Sequence, residues 1–251
     1  MERLRSVALS IAGLDPCAGA GLLADIKTFE AHKVYGLGIP SSITYQHDAT
    51  FKKVEWIPLE KITEQVDLLK ERYHIKWIKV GLIENLMVLD QLLTYLTHSL
   101  PECSVIWDPV LKASSGFTFH SSPDPDFVHR ICKKIHLITP NLPEVIAMGK
   151  TGDAFENAKE MSRHCHVYLK GGHSDDKKGK DFLFTKEAAL FAYNPKQKEV
   201  AEKHGSGCVL SAAITANLAK RTSLHLACMK AKSYTATFLN SNPSLLGYHK
   251  L

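Results

Sequence analysis

Short apolar runs that stop at a glycine, an acid or an amide recur along this chain, and stretches of helical periodicity separate them. Residues 6–13 end at Gly13, residues 77–81 at Gly81, and residues 104–109 reach Asp108. Residues 136–141 end at Asn141 and residues 167–172 at Gly172. Near-continuous apolar runs of this length suit strands buried on both faces, as in a parallel sheet covered by helices. Residues 22–32, 59–73, 85–97, 206–220 and 224–239 carry the intervening helical patterns. Residues 35–46 read as another strand, residues 51–57 as an edge strand or flap, and residues 181–185 with 188–193 as a hairpin. The alternation predicts a single domain over residues 1–251, an α/β three-layer αβα sandwich with a mainly parallel sheet. In such sheets ligands bind outside the carboxyl ends of the strands, where these glycines, acids and amides collect.

Within that frame one segment points to chemistry. His204-Gly205-Ser206-Gly207-Cys208 precedes the helical run Val209-Leu210-Ser211-Ala212-Ala213-Ile214. A glycine-rich turn opening a helix leaves backbone N–H groups unpaired at the positive end of the helix dipole, which makes an anion site. Gly205 and Gly207 would let the chain approach a phosphate closely. Cys208 would sit in the first helical turn, where a thiol pKa tends to fall. A phosphate cradle beside a candidate base suggests phosphoryl transfer.

Composition excludes more than it selects. No run of about 18 apolar residues is present to form a membrane helix, and the start Met1-Glu2-Arg3-Leu4-Arg5 has no apolar segment with a cleavage site. A cytoplasmic protein without a membrane partner is expected. The six cysteines are scattered without C-x-x-C spacing, which fits reduced thiols. His164-Cys165-His166 looks like a ligand cluster, but neighbours on a strand point to opposite faces, so a structural role is expected. The net charge of +5 comes with no interleaved basic and aromatic pattern, so nucleic acid is not an expected partner. Lys177, Lys178 and Lys180 read as a solvated loop, and Asn242-Pro243-Ser244 as a loose tail.

Four further segments, in order, join the glycine-rich turn: Ala12-Gly13-Leu14-Asp15-Pro16 with Gly19-Ala20-Gly21 and Asp25; Val80-Gly81-Leu82; Thr139-Pro140-Asn141-Leu142-Pro143-Glu144; and Leu169-Lys170-Gly171-Gly172-His173. This ordered set resembles the hydroxymethylpyrimidine and phosphomethylpyrimidine kinases of thiamine biosynthesis, from residue 6 to about residue 239. They belong to the ribokinase-like superfamily, which also holds pyridoxal kinases, and the resemblance implies a Rossmann-like sheet with ATP and substrate meeting at its carboxyl edge. The resemblance implies ATP-dependent phosphorylation of 4-amino-5-hydroxymethyl-2-methylpyrimidine, first to the monophosphate and then to the diphosphate, with ATP and Mg²⁺ as cofactors. It implies that Gly205, Ser206, Gly207 and Cys208 form the anion hole for the transferred phosphoryl, with Cys208 as base. It places Asn141, Lys170 and Gly172 at ATP, and Glu144 with Asn141 at Mg²⁺ through water. Gly13, Asp25 and Gln46 are expected around the aminopyrimidine, with Thr44, Leu82 and Val110 lining its pocket. Gln46 carries both a donor and acceptors, so it can pair with the amino group and a ring nitrogen. Pyridoxal kinases that share the cysteine tend to have methionine there, so Gln46 favours the pyrimidine over pyridoxal or pyridoxine. A non-catalytic pyrimidine sensor is the reading from another class.

Three other expectations bear on these roles. A helix cap would also account for Asn141 and Glu144, and an exposed helix position would account for Asp25. The chain departs from the family pattern at Lys112, displaced from its usual place, and at Ala18, where glycine is usual. It also has a short segment between Met148 and Phe155 and ends soon after the last helix, which bears on a lid and on homodimer contacts.

Overall fold

The computed structural model describes residues 5–112, 116, 118–119, 123–171, 179–195 and 201–249. Lys177, Lys178, Gly172 and His173 lie outside them. A nine-stranded sheet runs through the molecule in the order β3-β2-β1-β4-β5-β6-β7-β8-β9. Its strands are β1 (Val7–Leu14), β2 (Tyr35–His47), β3 (Thr50–Trp56), β4 (Trp77–Val80), β5 (Ser104–Trp107), β6 (Leu137–Ile138), β7 (His166–Leu169), β8 (Asp181–Phe184) and β9 (Leu190–Tyr193). From β2 through β7 neighbouring strands are parallel; β3, β8 and β9 add antiparallel edges. After β1 the chain first extends the sheet to one side and then returns to extend it from β4 on the other. A crevice opens at such a reversal of order.

Side-chain alternation along the strands sorts the two faces. Leu9, Ile11, Ile78, Val80, Val105, Trp107, Ile138, Val167 and Leu169 pack in one large core. That core is closed by α2 (Leu59–Lys70), α3 (Leu86–Ser99), α4 (Pro125–Cys132), α5 (Leu142–Met148) and α6 (Ala154–Met161). The opposite face carries Ile106, Leu137, Tyr168 and Leu183 against α7 (Ser206–Ala219) and α8 (Leu224–Leu239), and Ala8 against α1 (Gly21–Ala31) and α7. Every residue of α7 from Val209 to Leu218 is buried. A helix apolar all round has to be covered all round, and α7 is enclosed by the sheet, α1 and α8.

The sandwich matches the sequence expectation, with two additions and one correction. The eight-residue helices α4 and α6 escape the periodicity reading because they are too short for it. Each starts from a side-chain cap, Asp124 accepting from the Asp126 N–H and Asp153 from the Glu156 N–H. The short connection after Met148 is knitted by Asn157, whose side chain donates to the Thr151 carbonyl at 2.8 Å and accepts from the Thr151 N–H at 3.1 Å. The tail, expected to be loose, is docked. Lys203 Nζ donates to the carbonyls of Asn242 and Ser244, both at 2.6 Å, and the Leu245 carbonyl accepts from the His204 N–H at 2.9 Å. Among the described residues no helix is long and apolar enough to cross a membrane.

Candidate active site

At the carboxyl edge of the parallel strands lies a cavity of about 340 Å³. Gly13, Thr44, Gln46, Leu82 and Val110 line it on the β2 side, and Asn141, Glu144, Lys170 and the Gly205–Cys208 turn line it further along the sheet. Residues from five separate sequence motifs therefore share one space. Lys112 also borders it.

Beneath the cavity floor runs a ladder of buried charge. On the α7 face of the sheet, one row across the strands holds Ser10, Lys79, Asp108, Thr139 and Lys170. Ser10 and Lys79 are register partners on β1 and β4. Lys79 has no solvent exposure, and its Nζ donates to both oxygens of Asp25 at 2.7 Å. Ser10 donates to the same carboxylate at 2.6 Å. Lys79 Nζ also lies 3.9 Å from Asp108. Asp108 accepts from Thr139 at 2.8 Å, from Lys170 at 3.0 Å and from Ser211 of α7 at 3.0 Å. Lys170 then stands 3.8 Å from Glu144. Acid and base alternate along the row, which is how buried charges are tolerated.

Protonation follows from these contacts. Burial pushes Asp25 up to about 6, against the pull of Lys79. Burial alone would deprotonate Lys79, but the Asp25 carboxylate, with smaller help from Cys208 and Asp108, holds its pKa above the ordinary lysine value. Lys170 is raised in the same way: burial opposes its charge, and Asp108 and Glu144 outweigh burial. Glu144 is raised by burial, partly offset by Lys170.

Asp25 is thus neither an exposed helix residue nor a wall of the cavity. It is fully buried and its carboxylate is taken up by Lys79 and Ser10. Asp25 does not line the cavity, and it meets that space only through Lys79, which does border it.

The Gly205–Cys208 turn is built for close approach. Gly205 has φ +74°, and a Cβ there would lie 2.0 Å from the Gly19 carbonyl oxygen. Lys170 Nζ lies close to Gly207, 3.4 Å from where a Cβ would stand. Its partner is the loop after β1. Asp15, 1% exposed, accepts from the N–H groups of Cys17, Gly19 and Ala20, and its Oδ2 is hydrogen-bonded to His204 Nε2 at 3.0 Å. Burial opposes the charge, but these bonds hold Asp15 down at about 2. Ala18 in that loop keeps φ +56°, a conformation glycine takes more easily. Asp15, Cys17 and His204 offer donor atoms within 4.8 Å of one another, and the hydrogen bonds within the loop already occupy the carboxylate.

Cys208 begins the buried stretch of α7 and is half-buried. The helix terminus does not lower its thiol as expected. Burial pushes it up to about 11; Lys79 pulls it down, while Asp108 and Asp25 push it further up. Asn141 caps α5 by accepting from the Glu144 N–H at 2.8 Å, and Glu144 Oε2 accepts from the Asn141 N–H at 2.8 Å. The capping alternative is therefore present, and it leaves both residues on the cavity wall.

Gln46 reaches the cavity by the ordinary alternation of β2, two residues beyond Thr44 on the same face. The pairing of β2 with β3 shifts between Tyr45 and Gln46, so that Tyr45 faces Lys53 and Gln46 faces Phe51. The extra residue is Lys52 on β3, and it turns Phe51 to the face of Gln46, which no sequence period predicts. The sequence reading also missed Lys79. The available signal was a lysine inside an apolar run: in a sheet covered on both faces it must be buried and paired.

Residues 15–250 match the phosphomethylpyrimidine kinase family, and the chain belongs to that family of kinases. The hydroxymethylpyrimidine/phosphomethylpyrimidine kinase of Staphylococcus aureus strain MRSA252 is 34% identical over 95% of this chain and 90% of its own length. The phosphomethylpyrimidine kinase structure of Clostridium difficile 630 is similar with a TM-score of 0.77 at 26% identity, covering 92% of this chain and 98% of that one. A Bacillus subtilis pyridoxal kinase, solved as an ADP complex, has a TM-score of 0.79 at 26% identity, covering 96% and 94% of the two chains. The fold is the ribokinase-like sandwich.

Removing the cation at the centre of the ladder should be costly. Lys79→Met leaves Asp25 buried without its partner and should destabilise the protein by about 3–5 kcal/mol in urea unfolding. Lys79→Met combined with Asp25→Leu should recover most of that loss. A single variant within about 1 kcal/mol of the parent would mean that the ladder is not held by this pair.

Proposed function

We propose that this family member is a hydroxymethylpyrimidine and phosphomethylpyrimidine kinase, transferring the terminal phosphoryl of ATP to 4-amino-5-hydroxymethyl-2-methylpyrimidine and then to its monophosphate. The observation that carries the reading is one cavity shared by Gln46 on the β2 side and by the Gly205–Cys208 turn with Lys170. The pyrimidine lies against Gly13, Thr44, Leu82 and Val110, with its amino group and a ring nitrogen on Gln46. The triphosphate points its terminal group at the N–H groups of the turn, and Lys170 offsets its charge.

In the first step the hydroxymethyl oxygen attacks the γ-phosphorus. A new O–P bond forms as the bond to the bridging oxygen of the departing ADP breaks. Cys208, as thiolate, accepts the hydroxyl proton. Lys79 supports that role, since its charge pulls the thiol towards ionisation against burial. In the second step the attacking atom is an oxygen of the monophosphate. It is already ionised, so positioning dominates and little base is needed.

The residues suit a magnesium ion held mainly by phosphate and water. Glu144 is nearly buried and already shared between the Asn141 N–H and Lys170, which leaves it suited to contact through water. When bound, the ion supplies charge neutralisation at the triphosphate. All six cysteines are free thiols, which fits the reducing cytoplasm. Pyridoxal is the competing substrate, and Gln46 favours the pyrimidine. The complete Gly205–Cys208 turn argues against a sensor.

Cys208→Ala should reduce the first phosphorylation by about 10²–10⁴-fold and the second by far less. The sign of the pH dependence follows from the raised thiol, near 11. Below that value the thiolate fraction grows with pH, so kcat/KM for the alcohol should rise from pH 6.5 to 9.5 in the parent and stay flat in the variant. Wild-type turnover of the alcohol by the variant would remove Cys208 as base.

Gln46→Met leaves the polar edge of the pyrimidine unpaired in a desolvated pocket. That costs about 1–3 kcal/mol, or roughly 5–150-fold in kcat/KM. Pyridoxal, without the amino group, should lose less. Steady-state kinetics on both substrates tests this, and an unchanged preference ratio would reopen the choice between the two vitamins.

A further inference from the structure

The cavity has an aromatic wall that neither the sequence motifs nor the proposed chemistry uses. Phe51 on β3 and Phe119 in the segment after β5 both border it. Their ring centroids are 5.1 Å apart with planes at 88°, an edge-to-face pair. Phe51 is the register partner of Gln46 across the β2–β3 hairpin. Residues directly opposite on an antiparallel pair present their side chains to the same face. The extra residue Lys52 on β3 therefore brings Phe51 beside Gln46. Phe119 is fixed from the other side, since its N–H donates to the Leu111 carbonyl at 2.9 Å and Lys112 bridges to Thr118. The same Leu111 hydrogen-bonds through its backbone to Glu144, so the segment carrying Phe119 is tied to the phosphate end of the cavity.

We infer that Phe51 and Phe119 together form the ring-binding wall that selects a planar nitrogen heteroaromatic with one polar edge. The flat face of the ligand packs on the phenyl pair while Gln46 reads its edge. This rests on the aminopyrimidine reading of the Gln46 end and adds the apolar half of its recognition. Two phenyl rings contribute contact area and quadrupole complementarity that an aliphatic alcohol cannot exploit, whatever hydrogen bonds it makes. The wall discriminates by shape and polarisation, and Gln46 by hydrogen bonding.

Calorimetric binding of 4-amino-5-hydroxymethyl-2-methylpyrimidine, with ADP binding measured separately, tests the wall. The variants are Phe51→Ala, Phe119→Ala, Phe119→Leu and the double alanine. Each alanine variant should weaken pyrimidine binding about 5–20-fold, raise KM by a similar factor and change kcat less than about threefold. Phe119→Leu, apolar but not aromatic, should still lose affinity. The double variant should lose less than the product of the single losses, since each ring supports the other. ADP affinity should be unchanged in all, which reports an intact fold. Unchanged pyrimidine affinity in both single alanine variants, while the parent binds it, would overturn the wall and leave the kinase reading standing. A parent that binds ADP but no pyrimidine would overturn the substrate reading and the wall with it.

Discussion

The buried ion pair of Lys79 with Asp25 is the interaction on which the site depends. Two charges without solvent exposure are expensive unless each is fully partnered. Here the partnering spreads sideways. Lys79 approaches Asp108, Asp108 anchors Thr139, Lys170 and Ser211, and Lys170 reaches Glu144. Helices α1 and α7 each contribute one member, Asp25 and Ser211. The ladder therefore pins both helices to the sheet while it carries two positive charges along the cavity floor. Both cations border the cavity, in place before any ligand binds.

Above the ladder, the two glycine-rich segments hold each other. Asp15 gathers the N–H groups of its own loop and grips His204, and Gly205 packs on the Gly19 carbonyl. The docked tail adds a third support, because Leu245 accepts from the His204 N–H. The Gly205–Cys208 turn is thus fixed from the side by the first loop and from behind by the tail. Preorganisation of this kind keeps donors aimed without reorganisation during the reaction.

Much of this was legible in the sequence because burial on both sheet faces leaves apolar runs that stop where polar ends begin. Gly13, Gly81, Asp108 and Asn141 all fall at the carboxyl edge for that reason. What escaped depends on tertiary context. Asp25 reads as an ordinary helix position until Lys79 is seen beneath α1. The placing of Phe51 opposite Gln46 comes from a slipped register, and the docking of Asn242 and Ser244 from a lysine about forty residues earlier in the chain. At the Cys208 thiol, desolvation outweighs the pull of Lys79.

Lys170 joins the ladder to the phosphate turn, so it offers the sharpest test. Phosphoryl transfer from ATP should be followed separately on the pyrimidine alcohol and on its monophosphate, in the parent and in Lys170→Met. The account predicts that the parent converts both, and that the variant loses both by at least about 10²-fold because one preorganised cation serves each transfer. A variant that keeps parental turnover on either acceptor would contradict the claim that the buried ladder delivers its charge to the phosphate.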